Sequence, residues 1–187
     1  MRSPARLQRE PFLTPIWLSV LGALLVLSFL GAEAWVWATA DSTTIIVVRH
    51  AEQAQDGADP ALAPAGEARA ALLARMFGDA GAPGHIDAIY LAPTLRNRLT
   101  AAPLAAKLGI VPIVTAAGEV RGLAHRVLHE HAGGRILVVA QRDTLPEIVG
   151  WLSGAKHLPP VGAEEYGTMY IVTVPRIGRA DFLRLTY

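Results

Sequence analysis

Two short runs restrict this chain more than anything else in it. Residues 43–49 read TTIIVVR and residues 135–141 read RILVVAQ. A strand with one wet face alternates apolar and polar residues. A strand covered on both faces reads as an unbroken apolar, β-branched run. Both runs are of the second kind, so they predict a sheet with helices on each side. The segments around them agree. AGEARAALLARMFGDAG places apolar side chains at Ala68, Leu72, Leu73 and Met76, a helical spacing that ends at glycine. HIDAIYLAP reads as a second short strand and IVPIVTA as an extended segment. TLRNRLTAAPLAAKLG reads as a helix closed by Gly109, with Pro103 either kinking it or marking a break. EVRGLAHRVLHEHAGG carries an apolar stripe at Val120, Leu123, Ala124, Val127 and Leu128. TLPEIVGWLSG reads as a helix with Pro146 in its first turn, where a missing N–H is tolerated. The last 21 residues read as two strands joined by a turn around Ile177-Gly178. Strand and helix alternate across residues 43–154. That predicts an α/β three-layer sandwich with a mostly parallel central sheet and a hairpin-like final pair.

The first forty residues are of another character. Arg2, Arg6 and Arg9 precede residues 12–32, which carry no charge, and Glu33 and Asp41 follow. As a helix those 21 residues would extend about 30 Å, the thickness of a bilayer core. The positive-inside tendency would leave the N-terminus in the cytoplasm and the domain on the extracytoplasmic side. Trp17, Trp35 and Trp37 suit interface anchors. A second reading is a cleaved signal peptide, because Ala38-Thr39-Ala40 is an A-x-A site before Asp41. The domain would then be secreted after cleavage near Ala40. A buried core helix is the third. The division expected is residues 1–40 as anchor or signal and 41–187 as the functional domain.

Composition removes several function classes. The formal net charge is +1, with opposite charges interspersed, so no nucleic-acid groove is expected. The chain has no cysteine, which excludes disulfides, thiolate catalysis and cysteine-ligated metals. His125 and His129 are one helical turn apart but share the polar face with Arg126 and Glu130, so a solvated face is expected rather than a metal site.

In open α/β sheets ligands bind beyond the carboxyl ends of the strands. Three such ends carry chemistry: Arg49-His50, Ala92-Pro93 leading to Arg96, and Ala140-Gln141. A guanidinium fork matches phosphate oxygens. An imidazole beside it can attack phosphorus and carry the phosphoryl group.

VVRHAE at residues 47–52 resembles the Arg-His-Gly/Ala-Glu signature of the histidine phosphatase superfamily. ALAPAG at 61–66 is similar to the family's Leu-Thr/Ser-x-x-Gly. IYLAPTLRNRLTAAPLA at 89–105 is similar to the segment that supplies a second phosphate-binding arginine, and Arg96 falls on that arginine. GGRILVVAQRDTLPEIVGWLSG at 133–154 resembles the Val-Val-Gly-His-x-Asn-Thr-x-Pro segment. EEYGTMYIVTV resembles the closing strand of small exported members. The resemblance implies a phosphoglycerate mutase-like fold. It implies His50 as the phosphorylated nucleophile and Arg49 and Arg96 as phosphate clamps. It implies no cofactor and no metal, and a phosphorylated small molecule or envelope component as partner.

The resemblance also marks departures. Gln141 stands where the family has its second histidine, Ala140 where it has glycine and Asp143 where it has asparagine. Ala92 replaces the serine before Pro93, and Leu99 the glutamine of Gln-Thr-Ala. An amide at Gln141 can still donate to phosphate but carries no charge. Asp143, if its pKa were raised, and Glu119 are the candidate proton donors. Glu52 is expected to orient or balance Arg49. The sequence leaves open whether a group such as Arg142 or His157 compensates for Gln141. A phosphatase of reduced activity, an inactive phosphate-binding relative and a scaffold domain are the three functions in view.

Overall fold

The computed structural model describes residues 16–38, 42–55, 57–79, 85–116 and 118–187. Arg2, Arg6 and Arg9, residues 12–15, and Thr39, Ala40 and Asp41 of the A-x-A site lie outside them. The side chains of Trp37 and Ala38 lie outside them too. The chain divides into two compact units, residues 1–40 and 41–187.

The first unit contains helix α1 (Ile16–Ala38). It runs past the expected end at Ala32, through Glu33. Ala34, Trp35 and Val36 continue the apolar composition, and no proline follows to stop the helix. Ile16–Val36 is long and apolar enough to cross a membrane, by length and composition. Its side chains are exposed and, apart from Ser19, Ser28 and Glu33, apolar, which fits a signal or an anchor.

The second unit contains β1 (Ser42–Arg49), α2 (Pro64–Phe77), β2 (Ala88–Leu91), α3 (Leu95–Leu108) and β3 (Ile113–Val114). These are followed by α4 (Val120–Glu130), β4 (Arg135–Ala140), α5 (Leu145–Ser153), β5 (Thr168–Pro175) and β6 (Asp181–Thr186). The strands form one sheet in the order β3-β2-β4-β1-β5-β6. β1 pairs parallel with β4, β4 with β2, and β2 with β3. β5 and β6 add an antiparallel edge. This is the expected α/β architecture.

Side-chain alternation divides the core into two layers. Ile45, Val47, Tyr90, Ile136, Val138 and Tyr170 pack with Val120, Leu123 and Val127 of α4 and Leu145, Ile148 and Leu152 of α5. Ile46, Val48, Ile89, Leu91, Leu137 and Val139 pack with Leu73 and Ala74 of α2 and Ala101, Leu104 and Ala105 of α3. Each fully buried Val, Leu or Ile contributes roughly 1.5–3 kcal/mol. Burial on both faces accounts for the unbroken apolar runs in β1 and β4.

Three expectations need correction in detail. The buried stripe of α2 is Gly66, Ala70, Leu73 and Ala74, not Ala68, Leu72, Leu73 and Met76. Small residues let α2 lie close to its neighbours, which periodicity of large apolar residues does not reveal. Pro103 does not break α3. It lies on the exposed face, where water can take the freed carbonyl. Of IVPIVTA only Ile113–Val114 is strand, a short edge that resists further pairing.

The α2 correction is measurable. Leu73→Ala is expected to cost about 2–5 kcal/mol in urea denaturation. Met76→Ala, on the exposed face, is expected to stay within about 0.5 kcal/mol.

Candidate active site

The strand order puts the carboxyl ends of β1, β4 and β2 side by side. Arg49 is the last residue of β1, and the His50 N–H donates to the Ala140 carbonyl at 3.0 Å, extending the β1–β4 ladder. Two buried polar residues of α3 fasten that helix to these ends. Asn97 donates through Nδ2 to the Val139 carbonyl at 2.8 Å. Thr100 Oγ1 accepts from the Ala51 N–H at 2.9 Å and donates to the Arg96 carbonyl at 2.7 Å. On the other side Gly66 of α2 lies against Glu52. A methyl group at Gly66 would overlap the Glu52 carbonyl oxygen, so only glycine fits there.

His50 is 4% exposed. Its Nδ1 lies 2.9 Å from the Ala51 carbonyl oxygen. A carbonyl only accepts, so Nδ1 carries the hydrogen and Nε2 keeps its lone pair. Burial pushes the imidazole pKa down to about 4. The Ala51 bond opposes that shift, and the charges of Arg96 and Arg49 add to it. At neutral pH His50 is an uncharged imidazole with one nitrogen tethered and the other available as a nucleophile.

Two guanidinium groups flank it. Arg49 is 5% exposed. Its Nη1 donates to the carbonyls of Gly162 and Ala163 at 3.0 and 2.7 Å. It stacks on the Tyr166 ring with 3.8 Å from Cζ to the centroid. Burial lowers its pKa. Arg96 donates through Nη2 to Gln141 Oε1 at 2.9 Å, and its Nη1 lies 3.7 Å from Asp59 Oδ1. In both arginines Nε is buried without a partner. Buried N–H donors are nearly always satisfied. Both orphaned donors belong to charged groups whose fields reach His50. The donor set is of the wrong kind for a metal ion. Among the described residues no group of three or more acidic or histidine side chains is placed to hold one.

Residues 45–118 match the model of the histidine phosphatase superfamily (branch 1). Over those residues this chain is similar to that superfamily. Solved structures share its fold. The protein histidine phosphatase SixA complexed with tungstate is 17% identical with a TM-score of 0.61, over 76% of this chain and 96% of that one. A SixA-type protein of Nakamurella multipartitia is 21% identical with a TM-score of 0.56, over 79% and 97%. The mycobacterial glucosyl-3-phosphoglycerate phosphatase is 14% identical with a TM-score of 0.57, over 78% and 98%. A comparison with curated proteins gives no match.

Against the superfamily pattern, the structure gathers Arg49, His50, Arg96 and Gln141 at one sheet end. Gln141 has both polar ends engaged: Oε1 accepts from Arg96, and Nε2 donates to Thr94 Oγ1 at 3.4 Å. Glu119 and Gln141 line one narrow crevice with room for about one water, ≈ 20 Å³. The Glu119 carboxylate turns back toward Arg126 at 3.4 Å. Asp143 is exposed and bonded to Arg142 at 2.8 Å, which holds its pKa below the usual carboxylate value rather than raising it. The charge of Arg49 reaches Glu52, but the carboxylate's hydrogen bonds go elsewhere. It forms a bidentate pair with Arg69 of α2, with Nη2 to Oε1 at 2.6 Å, because α2 packs directly beside it. His157 is exposed on the segment between α5 and β5, while Arg142 adjoins the site. His125 and His129 are exposed as expected, but His131 turns inward to Tyr90 Oη at 3.1 Å. Sequence reasoning missed Tyr166 and Asp59. Asp59 also accepts from the Leu95 N–H at the start of α3, at 2.9 Å. Both lie in irregular segments; Tyr166 falls in EEYGTMYIVTV, which reads only as the approach to a closing strand.

His50 is expected to titrate near pH 4 in an NMR pH series, well below the ordinary 6.5. Between those values the unfolded chain binds more protons than the folded one. The stability linked to His50 is therefore complete above about pH 6.5 and is lost as pH falls toward 4. Denaturation midpoints measured from pH 7 to pH 4 check the sign, and His50→Ala should flatten the slope.

Proposed function

We propose that this protein is a phosphoric monoester hydrolase acting through a phosphohistidine at His50. The observation that carries this is a neutral, Nδ1-tethered His50 beside two arginines whose buried Nε–H groups lack partners. Arg49 and Arg96 bind the phosphate oxygens. The lone pair of His50 Nε2 attacks phosphorus, the ester P–O bond breaks, and the alkoxide leaves with a proton. Water then attacks the phosphohistidine, the P–N bond breaks, and inorganic phosphate departs with neutral His50 restored. Glu119, beside Gln141 in the crevice, suits the proton donor better than Asp143, whose carboxyl is held ionised.

Turnover is expected to be slow. The Gln141 amide is uncharged and already bonded. Losing one donor aimed at developing charge typically costs about 3–4 kcal/mol, or 10²–10³ in rate. That engagement favours a second reading, a domain that binds a phosphorylated small molecule or envelope component without hydrolysing it. In either case residues 1–40 serve as anchor or signal for a histidine phosphatase-like domain at 41–187 on the extracytoplasmic side. The 23 residues of α1 extend about 34 Å, enough for a bilayer core.

Hydrolysis of an aryl phosphate by the full chain in detergent tests the proposal. Slow activity is expected, lost in His50→Ala and raised about 10²-fold or more in Gln141→His. A silent parent with an active Gln141→His variant would support binding without turnover. Millimolar vanadate is expected to raise the melting temperature, by binding linkage. No shift, together with no activity, would end both readings.

A further inference from the structure

We propose that Arg142 supplies the third positive charge of the phosphate site, leaving Asp143 to close onto the bound anion; this rests on the phosphate site argued above. The need for such a group comes from the charges already present. Arg96 is shared with the Asp59 carboxylate at 3.7 Å, and Gln141 contributes no charge. Glu164 adds a further negative charge whose field reaches Arg49. An incoming phosphomonoester brings about two more negative charges. Arg49 and a partly neutralised Arg96 are a weak match for that ligand.

Arg142 is placed to correct the balance. It follows Gln141 at the carboxyl end of β4, with its Cα about 3.8 Å from that of Gln141. Its charge acts on Arg49 and on the Tyr166 stacked on it, and at rest the opposite charge of Asp143 acts on Arg49 as well. The guanidinium is 43% exposed and is held only by its neighbour Asp143, itself 78% exposed. A surface pair of this kind is worth about 0–1 kcal/mol, so exchanging it for a phosphate is inexpensive. Asp143 takes the Nε–H, which leaves the terminal nitrogens for a bidentate contact. Arg142 and Arg49 repel each other at rest, and an anion between them removes that repulsion.

Arg142 and Asp143 thus form a latch. With the site empty the carboxylate parks the guanidinium at the surface, and with phosphate bound the guanidinium changes partner. A guanidinium remains charged at every accessible pH, which an imidazole at Gln141 would not.

Vanadate titration of the full chain in detergent, read by melting temperature, tests this with Arg142→Ala, Arg142→Lys and Asp143→Ala. Arg96→Ala serves as the reference loss. Arg142→Ala is expected to weaken vanadate binding about tenfold while leaving the ligand-free melting temperature unchanged. Arg142→Lys should recover part of that loss, and Asp143→Ala should tighten binding a few-fold. If the parent binds vanadate and Arg142→Ala binds it equally well, the latch is wrong and the phosphate site stands. If the parent binds no vanadate, the latch falls together with the site on which it rests.

Discussion

The parallel ladder between β1 and β4 is the contact on which the rest of this domain depends. It runs from Thr44 opposite Arg135 to Arg49 opposite Ala140, and the His50 N–H carries it one bond further. Both strands are central and buried on both faces, so their register is fixed by the packing of every second side chain. A slip of one residue would exchange the side chains meeting α2 and α3 for those meeting α4 and α5. It would also send Arg49 to the opposite layer. The position of His50 is therefore set by the apolar residues that precede it.

At the end of that ladder the domain holds a charge where charges are expensive. Burial depresses the pKa of Arg49, yet backbone carbonyls and the face of Tyr166 hold it in place. Carbonyl oxygens and a ring face compensate a guanidinium without neutralising it. The arginine keeps its net charge. The same burial holds the neighbouring His50 neutral. A single dry environment thus leaves two adjacent residues with different charge.

Much of this was legible in the chain. The unbroken runs of β1 and β4 announced a covered sheet, and Gly109, Gly154 and Pro146 marked helix ends correctly. Arg49, His50 and Arg96 announced themselves because each adjoins a regular element. Tyr166 and Asp59 did not, because they reach the site from irregular segments whose path is set by tertiary packing. The direct partner of Glu52 was missed for a related reason. Its partner Arg69 is 17 residues away on α2, and only the close approach of Gly66 brings the two together. The burial of α2 was misread because its inner face is built from glycine and alanine, which periodicity arguments weigh lightly.

Thr100 carries a consequence of its own. Its hydroxyl accepts from the Ala51 N–H just beyond β1 and donates to the Arg96 carbonyl one turn earlier on α3. One side-chain oxygen therefore ties the residue after His50 to the turn of α3 that carries Arg96. A slide of α3 along the sheet would break the Ala51 bond, because Ala51 belongs to the strand side and does not travel with the helix. Thr100 thus acts as a stop against such a slide.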